Sequence, residues 1–209
     1  MRLQSVVGVI LLCSHLAIAQ GGSRKESGET TSAQLSLSTT VIEHAYCSNG
    51  RVRLFLKLTY VNVGSEPIIL KRDSLAVGQL SVSRSKDAAA KGKYEKVARF
   101  FYSDFRPNQT RGVAPPNDKF VIIASGESYE VNTKDIFKDI RFNNYIDVAG
   151  LRAGTHFLQI SVRTWDEDLS LAQELSLSWR RYGTLWWRGV TSQPMQFVIE
   201  RSTSTLTCR

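Results

Sequence analysis

Histidine and cysteine are scarce in this chain, three of each among 209 residues. Zinc-type centres gather three or four such ligands at close spacing, and the sequence shows no such pattern, so no metal or other cofactor is expected. Beyond the first twenty residues no stretch stays apolar for the roughly 20 residues that a bilayer-crossing helix requires. Charge of one sign is never concentrated. Arg51, Arg53 and Lys57, then Lys71 and Arg72, then Lys91, Lys93, Lys96 and Arg99, then Arg180, Arg181 and Arg188 are spread along the chain, with no block of five like charges. A formal charge of +8 and a pI near 9.6 therefore read as a solvated cationic surface, because dispersed charge governs solubility more than recognition. No catalytic motif stands out.

What is present begins with an export segment. Met1 and Arg2 give a weakly basic start, Val6 to Leu12 is apolar around Gly8, and Ala17-Ile18-Ala19 offers the small side chains a signal peptidase accepts. That order is the secretory pattern. Residues 1–19 are expected to be a signal peptide, and the protein to be secreted or periplasmic with no integral membrane segment after cleavage. A lipid-anchor reading centred on Cys13 is disfavoured by Leu12, where a small residue belongs. Export also makes nucleic acid a poor partner for the basic charge.

Cleavage would leave Cys47 and Cys208, and an even pair in an exported protein reads as a disulfide. It would close a loop of about 160 residues, for which the chain-entropy treatment gives roughly 5 kcal/mol as an upper figure. Two free thiols or an intermolecular bridge are the competing readings.

Residues 20–34 (QGGSRKESGETTSAQ) hold no large apolar side chain and read as a flexible polar leader. Residues 35–209 read as a single domain. Period-two alternation dominates it. Val52, Leu54, Leu56, Leu58 and Tyr60 share one face of a long strand. Leu158, Ile160 and Val162 do the same in another, and Met195, Phe197 and Ile199 face inward in the last. Further strands are expected at 35–42, 68–70, 76–83, 120–124, 128–131 and 185–190, while 97–105 is rich in aromatics (Phe100, Phe101, Tyr102, Phe105). Residues 85–93 suit a short helix or a loop. Pro107, Pro115 and Pro116 mark 106–118 as a long irregular loop, and Asn108-Gln109-Thr110 within it is an N-glycosylation sequon. Residues 133–150 allow a short helix through Ile136, Phe137, Ile140 and Ile146. In 169–179, Leu175, Leu177 and Trp179 alternate like a strand, while Leu171, Leu175 and Trp179 also stack at helical spacing. The strand is preferred over 174–180, because Tyr182-Gly183 resembles a hairpin turn.

Eight or nine strands joined mainly by turns suit an all-β fold, an antiparallel β-sandwich with long loop insertions and one or two short helices. Val61-Asn62-Val63-Gly64 followed by Pro67-Ile68-Ile69-Leu70 forms a strand, Asn-x-Gly turn, strand arrangement. It resembles bacterial immunoglobulin-like domains, as do the turns at Gly126-Glu127 and Ala153-Gly154. The resemblance implies an immunoglobulin-like sandwich and brings no functional residues with it.

The candidate chemistry is thin. Cys47 with His44 and His156 is the only nucleophile and base set, and a disulfide at Cys47 would disable it. Asp166, Glu167 and Asp168 have oxygens suited to calcium but lack a calcium-loop pattern, and read as a solvated acidic turn. The most unusual segment is Trp179-Arg180-Arg181-Tyr182-Gly183-Thr184-Leu185-Trp186-Trp187-Arg188. In a hairpin Trp186 and Trp187 must point to opposite faces, which leaves one available for a ligand. Exposed aromatics beside arginines suit sugar rings and protein interfaces. The competing reading buries one Trp in the core and packs the other under the 106–118 loop with an arginine stacked over it. The expectation is a non-catalytic binding domain for a protein or glycan, with Trp179, Arg180, Tyr182, Trp186, Trp187 and Arg188 as the binding residues. The alternatives are an exported hydrolase using dispersed carboxylates (Glu127, Asp135, Asp166, Glu167) or a protease inhibitor presenting the 106–118 loop.

Overall fold

The structure is a computed structural model that describes residues 33–72, 78–100, 115–133 and 146–200. The chain divides into two compact units, residues 1–30 and 31–209, and the described residues all belong to the second. Residues 1–19, expected to be a signal peptide, Cys208, the Asn108 sequon, Asp135 and most of the 106–118 and 133–150 segments lie outside the described residues.

Among the described residues the fold is mostly β and sandwich-like, with antiparallel sheets and two helices. Twelve strand segments are present among the described residues: β1 Leu35–Tyr46, β2 Arg51–Asn62, β3 Ile68–Lys71, β4 Gly78–Ser83, β5 Lys96–Phe100, β6 Phe120–Ile123, β7 Ser128–Asn132, β8 Ile146–Ala149, β9 Gly154–Val162, β10 Thr184–Leu185, β11 Val190–Thr191 and β12 Met195–Ile199. The helices are α1, Lys86–Ala90, and α2, Leu169–Ser178.

One sheet centres on β2, which pairs with β1 along one edge and with β7 and β8 along the other. Leu56 N–H falls between the β7 and β8 pairings and donates to the Thr133 hydroxyl at 2.8 Å. A second sheet centres on β9, with β4 and then β5 on one side and β11 and β12 on the other. Val52, Leu54, Leu56, Leu58 and Tyr60 of β2 face Leu158, Ile160 and Val162 of β9 across the main core, as period two predicts. β1 changes parity at a bulge between Val41 and Glu43, which turns Ile42 outward. Pairing starts before Leu35: Ala33 is buried and the Gln34 carbonyl accepts from Val63 N–H at 2.8 Å.

The Asn-x-Gly turn has a physical basis. Asn62 is fully buried. Its amide donates to the carbonyls of Glu66 and Ile123 at 2.7 and 3.0 Å, and its side-chain oxygen accepts from Gly64 N–H at 3.0 Å. One side chain thus ties β2, the turn and β6 together.

β6, β3 and β10 form a third, smaller sheet. All four residues of β3 are buried, because it is covered on both faces. Ile68 and Leu70 join the main core, while Ile69 joins a second cluster with Phe120, Trp165, Ala172, Leu175, Trp179 and Leu185. Lys71 follows the parity of Ile69 and enters at that face.

Three expectations change here. Residues 174–180 are not a strand: Leu169–Ser178 is α2, capped by Asp168, whose carboxylate accepts from Ser170 N–H at 2.9 Å. The helix puts Ala172, Leu175 and Trp179 on one buried face, a choice the absence of β-branched residues permits. Tyr182-Gly183 is not a hairpin turn. β10 runs parallel to β3, with Thr184 opposite Ile68 and Leu185 opposite Ile69. Ile146 belongs to β8 and not to a helix.

Candidate functional site

The 179–188 segment lies across the second cluster as its lid. Gly183 makes this possible. Its φ is 143°, and a Cβ there would lie 2.5 Å from the Pro67 carbonyl oxygen, so only glycine lets the chain come this close. The same carbonyl accepts from Thr184 N–H at 2.8 Å, and Ile69 O accepts from Trp186 N–H at 3.0 Å. Thr164, fully buried, donates its hydroxyl to the Arg188 carbonyl at 2.5 Å. The segment is held along its length by main-chain bonds.

The aromatic residues of the segment therefore differ in role. Trp179 is fully buried and meets Phe120 edge-to-face at 4.7 Å, so it is a core residue and unavailable to a ligand. Trp186 and Trp187 do point to opposite sides, as alternation requires. Trp186 packs on the main core, where its indole N–H is buried without a hydrogen-bond partner. Trp187 packs on the second cluster and stays half-buried, as does Tyr182. The Arg188 guanidinium lies over the Trp187 ring at 5.6 Å. The Arg181 guanidinium lies over the Tyr182 ring at 4.7 Å and donates to its hydroxyl at 2.6 Å. Arg180, Arg181 and Arg188 are exposed. The surface the segment offers is thus Tyr182 and Trp187, each covered by a cation, with Arg180 beside them.

The acidic turn departs from expectation. Asp166 and Glu167 are not simply solvated: both reach the Lys71 ammonium, at 2.6 and 2.7 Å. Trp165 stands beside this cluster, with the ammonium 5.8 Å from its ring, and donates its indole N–H to the Asp168 carbonyl at 3.1 Å. Two of the four carboxylates considered for hydrolysis are thereby committed to a buried lysine. Glu127 sits exposed in the turn before β7.

The two histidines of the described residues sit in different surroundings. His156 is buried, bonds the Arg152 carbonyl through Nε2 at 2.8 Å and lies against Phe197. His44 meets Tyr46 edge-on. Cys47 is buried at the end of β1, in a turn closed by its N–H to the Arg51 carbonyl at 2.8 Å. Among the described residues no group of three His, Cys, Asp or Glu is placed to hold a metal ion, and no helix is long and apolar enough to cross a membrane. A shallow groove of about 260 Å³ runs between Thr40–His44 of β1 and Met195–Val198 of β12, and shares no residue with the 179–188 segment.

Sequence reasoning missed Lys71 and the outer face of α2. Nothing in the sequence joins Lys71 to residues 95 positions away. A helical wheel of 169–178, drawn once the helix is chosen, does put Leu177 opposite Leu171 and Leu175. Comparison with protein-family models finds no match for this chain, and comparison with curated proteins finds no significant relative.

Proposed function

We propose that the chain is an exported, non-catalytic interaction domain that binds a protein or glycan partner through Arg180, Arg181, Tyr182, Trp187 and Arg188. The observation that carries this reading is the pair of arginine-covered rings standing half-buried on one rigid cluster. Aromatic and arginine side chains on a fixed backbone are the residues that dominate contact energies, because they lose little freedom on binding. Export rests on the secretory pattern of residues 1–19. A Cys47–Cys208 bridge accompanies it in this reading, and the burial of Cys47 is in its favour. Intact-mass measurement without reduction checks the bridge, which lowers the mass by two hydrogens.

The binding test is Trp187→Ala combined with Arg188→Ala, screened against extracytoplasmic proteins and a glycan array beside the unaltered protein. A ligand retained by the unaltered protein and lost by the variant, at equal melting temperature, supports the surface. An unchanged ligand profile would sink it.

A further inference from the structure

α2 leaves one face uncovered. Leu177 is 80% exposed and Leu169 57%. With Gln173 between them they recur every fourth residue and so line one stripe about 12 Å long. The buried face of the same helix, Ala172 and Leu175, holds it to the second cluster. Other exposed groups belong to the same cluster that holds the helix. Ile122 of β6 pairs directly across from Ile69 and so shares its sheet face, yet it remains exposed. Tyr182 and Trp187 pack half-buried on that cluster, with Arg181 and Arg188 over their rings. Arg180 follows α2 directly and is exposed. Glu174 is the only acidic residue within α2. Protruding aliphatic side chains, two amphipathic rings and three guanidinium groups thus rest on one small core.

The chemistry that complements this set is an apolar layer lying beneath an anionic one. A partner that engages only the rings and arginines of the 179–188 segment leaves the outward leucines of α2 unused. A lipid surface uses each part. Leucine enters below the headgroups, tyrosine and tryptophan settle at headgroup level, and arginine pairs with lipid phosphates. We infer that this surface docks the domain peripherally on an anionic lipid bilayer, with the Leu169–Leu177 stripe inserted and Arg180, Arg181 and Arg188 on the headgroups. The inference rests on the reading of the 179–188 segment as a contact surface, extends it to α2, and names lipid as a partner.

Vesicle co-sedimentation tests it. The unaltered protein and its variants are compared with identical N-termini, verified by mass, because an uncut apolar 1–19 segment would seek lipid by itself. Binding is expected to mixed phosphatidylcholine–phosphatidylglycerol vesicles and not to pure phosphatidylcholine, and it should weaken as salt shortens the reach of the charges. Replacing Arg180, Arg181 or Arg188 by Gln should each weaken binding about fivefold. Leu177→Asp, at a position that touches little of the core, should abolish binding while lowering the melting temperature by only about 2–4 °C, the effect of a carboxylate in the last helical turn. Equal binding to both vesicle types, no binding to either, or undiminished binding by Leu177→Asp would overturn the inference. If vesicles fail while Trp187→Ala still loses a soluble ligand, the bilayer is wrong and the contact surface stands. If both fail, the contact surface falls with it.

Discussion

Lys71 lies between two carboxylates at the edge of the second cluster, and replacing it with methionine tests whether that cluster is held by charge or by packing. Its side chain is 8% exposed, while those of Asp166 and Glu167 are 28% and 20% exposed. Methionine is close to lysine in volume and leaves two partly buried carboxylates without the Lys71 ammonium. Breaking a fully buried pair costs about 3–5 kcal/mol. Here both acids can turn toward water, so Lys71→Met is expected to cost about 2–3 kcal/mol in urea unfolding at neutral pH. Adding Asp166→Asn and Glu167→Gln should restore at least half of that loss, since the stranded charges are then gone. The pH dependence gives a second reading. Burial alone pulls the Lys71 ammonium down, but the hydrogen bonds and charges of Asp166 and Glu167 outweigh it and hold it above the ordinary lysine range. A group whose pKa is higher in the folded state stabilises fully below its unfolded value, about 10.4, and loses that contribution as pH rises through the folded value. Stability should therefore fall in alkali by an increment that Lys71→Met lacks. Tyr60, whose phenol burial also pushes up, adds an alkaline fall common to both proteins, so their difference isolates Lys71. A cost for Lys71→Met below about 1 kcal/mol, or no recovery in the triple variant, would refute the reasoning.

Gly183→Ala combines a positive φ with a Cβ 2.5 Å from the Pro67 carbonyl oxygen. It should cost about 3 kcal/mol in thermal or urea unfolding, whereas Gly50→Ala, at φ 75° in open space, should cost about 1 kcal/mol. Asn62→Ala strips two carbonyls and one N–H of their partner at a fully buried position, and should cost about 2–3 kcal/mol with the denaturant slope unchanged. Asp168→Ala removes the cap of α2 and should cost about 1 kcal/mol, read by urea unfolding; an unchanged midpoint would count against the cap.

The sandwich was legible because its two central strands obey period two without interruption. Arg51–Val63 and His156–Trp165 each give one apolar face and one mixed face, and the structure buries those apolar faces in the main core. The third sheet was not legible, since β3 is buried on both sides and Ile68-Ile69-Leu70 therefore shows no alternation. Residues 169–179 failed for a different reason. Leu175 and Trp179 fit both periods, with Leu177 completing a strand face and Leu171 a helix face, and the decision fell to Asp168, read in the sequence as part of an acidic turn and used in the fold as a helix cap. With Tyr182-Gly183 mistaken for a hairpin turn, 174–180 had to be a strand, and the parallel pairing of β10 with β3 could not be foreseen.

That error also shaped the candidate site. A hairpin would have presented its aromatics as free ring faces, the geometry a sugar requires. As a lid on the second cluster, the segment instead seals Trp179 inside, packs the half-buried Trp186 against the main core, and packs the half-buried Trp187 and Tyr182 against the second cluster with guanidinium groups over their rings. The burial of Trp186 comes with an orphaned indole N–H. Such a donor costs about 1–3 kcal/mol, so its ring must contribute more than that in apolar contact for the fold to keep it there. Residue type alone separated none of these three tryptophans, because the distinction depends on which of two cores each one meets. The arginines gain most from the arrangement. Arg181 and Arg188 are ordinary members of a scattered basic set in the sequence, yet their aromatic neighbours gather them on one cluster. Any partner approaching Tyr182 or Trp187 meets a cation before it meets a ring, so the surface selects first for negative charge and only then for shape.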